Sequence, residues 1–191
     1  MSSRVTTSYW LWKARNKDPQ AFAKIYDIYV DKIYRFVYFK VSDKEVAQDL
    51  CSECFLKCWE YLTVKEKEVK NLNALIYGIA RNLVIDHYRK KANQTVSLPE
   101  EISESFELAH LRERSGVARE KIEAKIDVDF LQEVLHKLKD EYREVLLLKY
   151  IEEYSIGEMA QIMEKKNGAV RISLHRALKA LRRLTTGQEK S

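Results

Sequence analysis

The sequence predicts an all-α protein: two small helical domains joined by a linker, the second a helix-turn-helix, winged-helix-like domain. Three observations carry that prediction. The 191 residues hold only 5 Gly and 2 Pro, too few to turn the many corners of a sheet protein. Apolar residues recur at spacings of three and four over long stretches. Helix-start signatures stand where those stretches begin.

In "KDPQAFAKIYDIYVDKIYRFVYFKV", Asp18 is the expected N-cap and Pro19 the first helical residue. Phe22, Ile25, Tyr26, Tyr29, Ile33, Phe36 and Val37 form its apolar stripe. "SDKE" at 42–45 reads as a capping box that opens the next helix, which runs to about Leu62. Residues 63–71 form a charged loop. Residues 72–91 form a further helix, with Leu72, Ile76, Ile79, Ala80, Leu83 and Val84 on one face.

After Lys91 the apolar pattern weakens. Residues 100–129 carry nine acids and five bases, a net of −4 against +5 for the whole chain. This predicts an acidic linker over 93–127, between domains at 1–92 and 128–191. Four helices are expected in the second domain. Ser155 and Glu158 form a capping box, a short helix follows through Met163, and the last helix begins near Asn167 or Gly168 and ends near Leu184. Two short helices with a tight turn, the second of them basic, outline a helix-turn-helix.

All three cysteines lie in "DLCSECFLKCWEYL". On a helical wheel at about 100° per residue, Cys54, Cys58, Phe55, Leu62, Ala47 and Trp59 fall within roughly 80° of Cys51. The cysteines therefore occupy core positions, where a free thiol behaves as a small hydrophobe. Three cysteines also fall short of the four ligands a structural zinc site needs, so no metal and no cofactor is expected. The opposite face carries Asp49, Glu53, Leu56 and Glu60, an acidic stripe around one large apolar residue. It reads either as a solvated face or as a docking surface for a basic partner.

Composition narrows the class. With 46% hydrophobic and 33% charged residues the chain is globular. No stretch has the length of a membrane span, and "SYWLWKARN" is too short in apolar residues for a secretion signal. A cytoplasmic protein without membrane insertion is expected. No phosphate loop, nucleophile elbow or paired catalytic motif occurs, so no enzyme is expected.

"DLCSECFLKCW", then "ALIYGIARNLVIDHYRKK", then "YREVLLLKYIEEYSIGEMAQIM…GAVRISLHRALKALRR" together resemble the bacterial RNA polymerase sigma factors of the sigma-70 family, in its small extracytoplasmic-function (ECF) group. The resemblance covers about residues 20–91 and 130–184. It implies a first domain that binds the polymerase clamp and the minus-ten element, and a second, sigma region 4, that binds the flap and the minus-35 element. By resemblance, Asp49, Glu53, Leu56 and Glu60 meet core polymerase. Tyr77, Arg81, Asn82, Tyr88, Arg89 and Lys90 meet minus-ten DNA, where melted bases stack on aromatic or guanidinium groups. Lys166, Asn167, Arg171, Ser173, His175, Arg176, Lys179 and Arg183 meet minus-35 DNA.

The implied partners are core RNA polymerase, promoter DNA and an anti-sigma factor, with the free chain a monomer. The stretch beyond Leu184 leaves no third domain in this reading. The linker is expected to thread through polymerase, leaving the two domains weakly coupled in the free protein. Two other readings compete: a helix-turn-helix regulator that acts without polymerase, and a thiol or cluster redox sensor. The sequence departs from the family at the turn, with Glu164 where Gly is usual, Lys165 for an apolar residue and Lys166 for Ser. Ile172-Ser173 stands for the common Ser-Arg pair, and Lys139 for the usual Pro.

Overall fold

A computed structural model describes residues 2–64, 69, 71–94 and 130–186, with side chains from residue 7 to residue 185 of these except 92–94. Most of the expected linker lies outside the described residues. No strand occurs among those described, and no helix is long and apolar enough to cross a membrane.

The first half contains α1 (Ser2–Arg15), α2 (Pro19–Val41), α3 (Lys44–Val64) and α4 (Leu72–Gln94). The α1 helix was absent from the sequence reading. Its signal is one short stripe: Ala14 is fully buried, and Trp10 and Leu11 pack on the core. Two residues past its end Lys17 is left-handed at φ 62°, and the Asp18 N–H returns to the Lys13 carbonyl at 3.2 Å. Asp18 then caps α2 as expected, accepting from the Gln20 and Ala21 N–H groups, with Pro19 in the first turn.

Ser42 does not open α3. It ends α2, left-handed at φ 58°, with its N–H on the Tyr38 carbonyl. Asp43 takes the capping role, its Oδ1 accepting from the Val46 N–H at 3.0 Å. Asp is as good a cap as Ser, and αL geometry at Ser42 removes it from the extended backbone a cap needs. Asn71 caps α4 by accepting from Ala74. Ile25 and Ile33 of α2, Cys54 and Cys58 of α3 and Ile76 and Ala80 of α4 are wholly buried. Each such isoleucine contributes about 1.5–3 kcal/mol of apolar burial.

The second half contains α5 (described over residues 130–136), α6 (Asp140–Leu146), α7 (Ile156–Ile162) and α8 (Asn167–Thr186), the four helices expected. A π-helical turn, Leu147–Ile151, continues α6 and closes with the Glu152 N–H on the Leu147 carbonyl. Ser155 and Glu158 form the capping box of α7.

The expected separation of the two domains is not what the structure shows: the halves pack on each other. They share one hydrophobic core, with α7 packed on α4 and α6 on α2. The sequence expectation missed this because apolar periodicity shows that a face is covered, not by what.

Candidate polymerase and promoter interfaces

On α3 the wheel is correct on both faces. Cys51, Cys54 and Cys58 are buried and free. The Cys54 thiol faces the Ile76 carbonyl at 3.5 Å. Burial pushes the Cys51 thiol up to about 11 and Cys58 to about 12, and lifts Cys54 further. Buried and raised in this way, none of the three is a ready thiolate nucleophile at neutral pH. Among the described residues no group of three or more His, Cys, Asp or Glu is placed to hold a metal. Asp49, Glu53 and Glu60 are exposed on the other face, with Leu56 at 58% exposure among them. Glu53 pairs with Lys57 across one turn at 3.4 Å, both half-exposed, a link worth only a few tenths of a kcal/mol.

The expected minus-ten residues divide. Asn82, Tyr88, Arg89 and Lys90 are exposed, Arg89 beside Asp86 at 3.2 Å. Tyr88 donates to the Lys40 carbonyl at 2.7 Å. Tyr77 is a correction: it is fully buried, edge-on to both Phe36 and Tyr154, and presents no ring to a base. On the wheel it falls about 20° from Val84, at the edge of the apolar stripe; Phe36 of α2 covers one side of the ring and Tyr154 of the second half another. The buried Tyr77 hydroxyl has no hydrogen bond of ordinary geometry. Burial, then the proximity of Tyr154 and Glu152, pushes its pKa far above the usual phenol range. Arg81 is partly covered as well, its Nε 3.5 Å from Glu144 of α6.

Charged contacts hold the halves together here. Lys40 of α2 has no exposure, and its Nζ lies 3.1 Å from both Asp140 and Glu144. Arg143 donates to the Lys40 carbonyl at 3.1 Å and to the Leu135 carbonyl at 3.0 Å. Arg35 donates twice to Glu152 Oε1, at 2.9 and 2.8 Å. Ser42 meets His136, and Asn71 meets Gln161.

The helix-turn-helix is α7, the turn at Met163–Lys166, and α8. Glu164 is left-handed at φ 54°, and the Lys165 N–H closes on the Ala160 carbonyl at 2.9 Å. That is the six-residue C-terminal motif in which Gly is favoured. Lys165 and Ser173 both reach Glu141 Oε1 at 2.6 Å, tying the turn and α8 to α6. Hydrogen bonds from Lys165 and then Ser173 hold the Glu141 carboxyl below its usual range. Ser173 is therefore a second correction: at 8% exposure it binds α8 to its own domain and does not face DNA. Its wheel position, beside Val170 and Ala177, belongs to the covered face. Lys166, Asn167, Arg171, His175, Arg176, Lys179 and Arg183 are all exposed. Ile172, noted in the sequence only as a departure from the family's Ser-Arg pair, is 54% exposed.

A four-helix module carrying an acidic face, packed on a helix-turn-helix module with a basic second helix, defines a two-module helical DNA-binding protein. The sigma-70 region 2 family matches residues 25–94, and the sigma-70 region 4 family matches residues 131–181. The ECF RNA polymerase sigma factor SigW of Bacillus subtilis (strain 168) is 32% identical over 175 residues, covering 90% of this chain and 92% of SigW. The ECF sigma factor BldN of Streptomyces coelicolor is 28% identical over 172 residues; the match covers 90% of this chain but 63% of BldN. The solved structure of CnrH in complex with the cytosolic domain of CnrY superposes with a TM-score of 0.72 at 17% identity, covering 95% of this chain and 98% of that one. The chain belongs to the sigma-70 family of RNA polymerase sigma factors, in the ECF group.

Proposed function

We infer that the chain binds core RNA polymerase and directs initiation at promoters whose minus-ten and minus-35 elements it reads, with no catalytic centre of its own. The observation that carries this reading is the pairing of two opposed surfaces in a chain matched to both sigma regions. Asp49, Glu53 and Glu60 surround exposed Leu56 on α3, and α8 presents six exposed bases and a histidine counting Lys166 before its start and Arg182. An acidic rim around one apolar anchor suits a basic docking helix, since the anchor supplies affinity and the rim orientation. A row of Lys and Arg suits DNA phosphates.

In this reading residues 1–92 form the core-binding and minus-ten domain, 93–127 the linker and 128–191 the minus-35 domain, and an anti-sigma factor is an added partner. Arg81, Asn82, Tyr88, Arg89 and Lys90 remain the minus-ten set. Lys166, Asn167, Arg171, His175, Arg176, Lys179 and Arg183 remain the minus-35 set. Because Glu144 lies against Arg81, use of Arg81 on minus-ten DNA requires that contact to open. A regulator acting without polymerase leaves the α3 face unused. A thiol sensor would need accessible thiols, and Cys51, Cys54 and Cys58 are all buried.

The test is run-off transcription by purified core polymerase with this chain on a promoter library, together with core affinity of the double variant Asp49→Lys/Glu53→Lys. Promoter-dependent transcripts are expected, and at least about tenfold weaker core binding with unchanged helicity, given charge reversal at a close interface. Unchanged core affinity would remove α3 from the interface.

A further inference from the structure

We propose that Ile172 sits at the centre of the DNA-facing side of α8 and reads the C5-methyl group of a thymine in the minus-35 element. The inference deepens the minus-35 reading of α8 and rests on it. The buried side of the helix is marked by Val170, Ser173 and Ala177. With Val170 at zero and about 100° per residue, Ile172 falls at about 200° and Gly168 at about 160°. Both therefore point directly away from the domain, in the first two turns of the helix, the part that enters the major groove. Arg171, the natural choice from sequence, falls at about 100°, on the flank.

Three facts make this side fit a base edge. Among the described residues of α8, Ile172 is the one large apolar side chain left exposed. Gly168, one turn before it, is exposed, and a Cβ there would meet nothing within 4 Å. Its lack of a side chain is thus not demanded by packing inside the protein, and it leaves the helix start clear to approach a duplex closely. Ala169 beside it is also small and exposed. The result is a shallow apolar step framed by His175, Arg176 and Lys179, which stand exposed on the following turns to meet phosphates or guanine edges.

A branched alkyl group neither donates nor accepts, so it gains nothing from N7, O6 or the exocyclic amines. It would strip water from them without replacement. The thymine methyl is the apolar group that the four ordinary bases offer in the major groove.

The test uses the holoenzyme. A minus-35 sequence is first selected from a randomised library, and each thymine in it is then replaced singly by uracil, which deletes the methyl and keeps the pairing. With the wild-type chain, one thymine-to-uracil change is expected to weaken promoter binding about fourfold, the partition of one buried methyl group. With Ile172→Ala, an exposed-site substitution that leaves the core untouched, the same change is expected to cost less than about 1.5-fold, since the partner methyl is gone. No costly position in the wild type would overturn the proposal. So would an equal cost in Ile172→Ala, because another side chain would then read the methyl. If no minus-35 sequence is selected at all, the reading of α8 fails first, and this inference with it.

Discussion

Replacing Lys40 by Met should release the second half of the chain from the first. Lys40 is wholly buried, and its ammonium faces Asp140 and Glu144 at 3.1 Å each. Glu144 is itself 2% exposed, and its other oxygen already lacks a hydrogen bond. Met keeps the length of the lysine stem but removes the charge, leaving a buried carboxylate with only Arg81 at 3.5 Å. Removing one partner of a buried pair costs about 3–5 kcal/mol. Global unfolding need not absorb that cost. Glu144 belongs to the second half, so parting the halves rehydrates it while the buried core of α2, α3 and α4 stays intact. The cost is therefore capped by whatever free energy holds the halves together.

Urea unfolding followed by circular dichroism reads the outcome. The wild type should unfold in one transition. Lys40→Met should give two, each with a smaller denaturant slope, because the slope scales with the surface each unit exposes. Lys40→Met/Glu144→Leu, which removes both charges, should recover most of the coupling, since apolar replacement of a whole buried pair is often neutral or better. A single transition with an unchanged midpoint in Lys40→Met would refute the reasoning and leave the ion pair without energetic weight.

Glu164→Gly should stabilise the second half by about 0.5–1 kcal/mol, read as a higher denaturation midpoint: the left-handed backbone at φ 54° strains a residue with a Cβ, and the gain is reduced by the extra freedom of glycine when unfolded. Glu141 should confer an acid-side dependence on stability. Its folded pKa is depressed by Lys165 and Ser173, so its contribution is present above the ordinary glutamate value of about 4.3 and is lost as pH falls through the lower folded value. Thermal melts from neutral pH into that range should fall less steeply for Glu141→Gln than for the wild type; identical slopes would contradict the assignment.

What the sequence determined by itself is local. The ends of α2 and α7 were legible at Asp18, Pro19, Ser155 and Glu158, because a cap is a bond between residues two or three apart. The burial of Cys51, Cys54 and Cys58 opposite Asp49, Glu53 and Leu56 was legible because an α-helix turns every 3.6 residues whatever surrounds it. The exposed bases of α8 and the turn at Glu164 followed for the same reason. Tertiary structure decided which surface covers which. Tyr77 stands at the edge of the apolar stripe, and it takes Phe36 of α2 on one side and Tyr154 of the second half on another to bury it. Ser173 reads as a polar helix residue until Glu141, 32 positions earlier in the chain, accepts its hydroxyl. Ile172 looks like one more alternating apolar residue until Val170 and Ala177 show which side of α8 is down. The charges that join the halves, Lys40 to Glu144 and Arg35 to Glu152, lie more than a hundred residues apart. No spacing rule reaches that far, since the distance between such residues is set by how packed faces meet and not by the repeat of either helix.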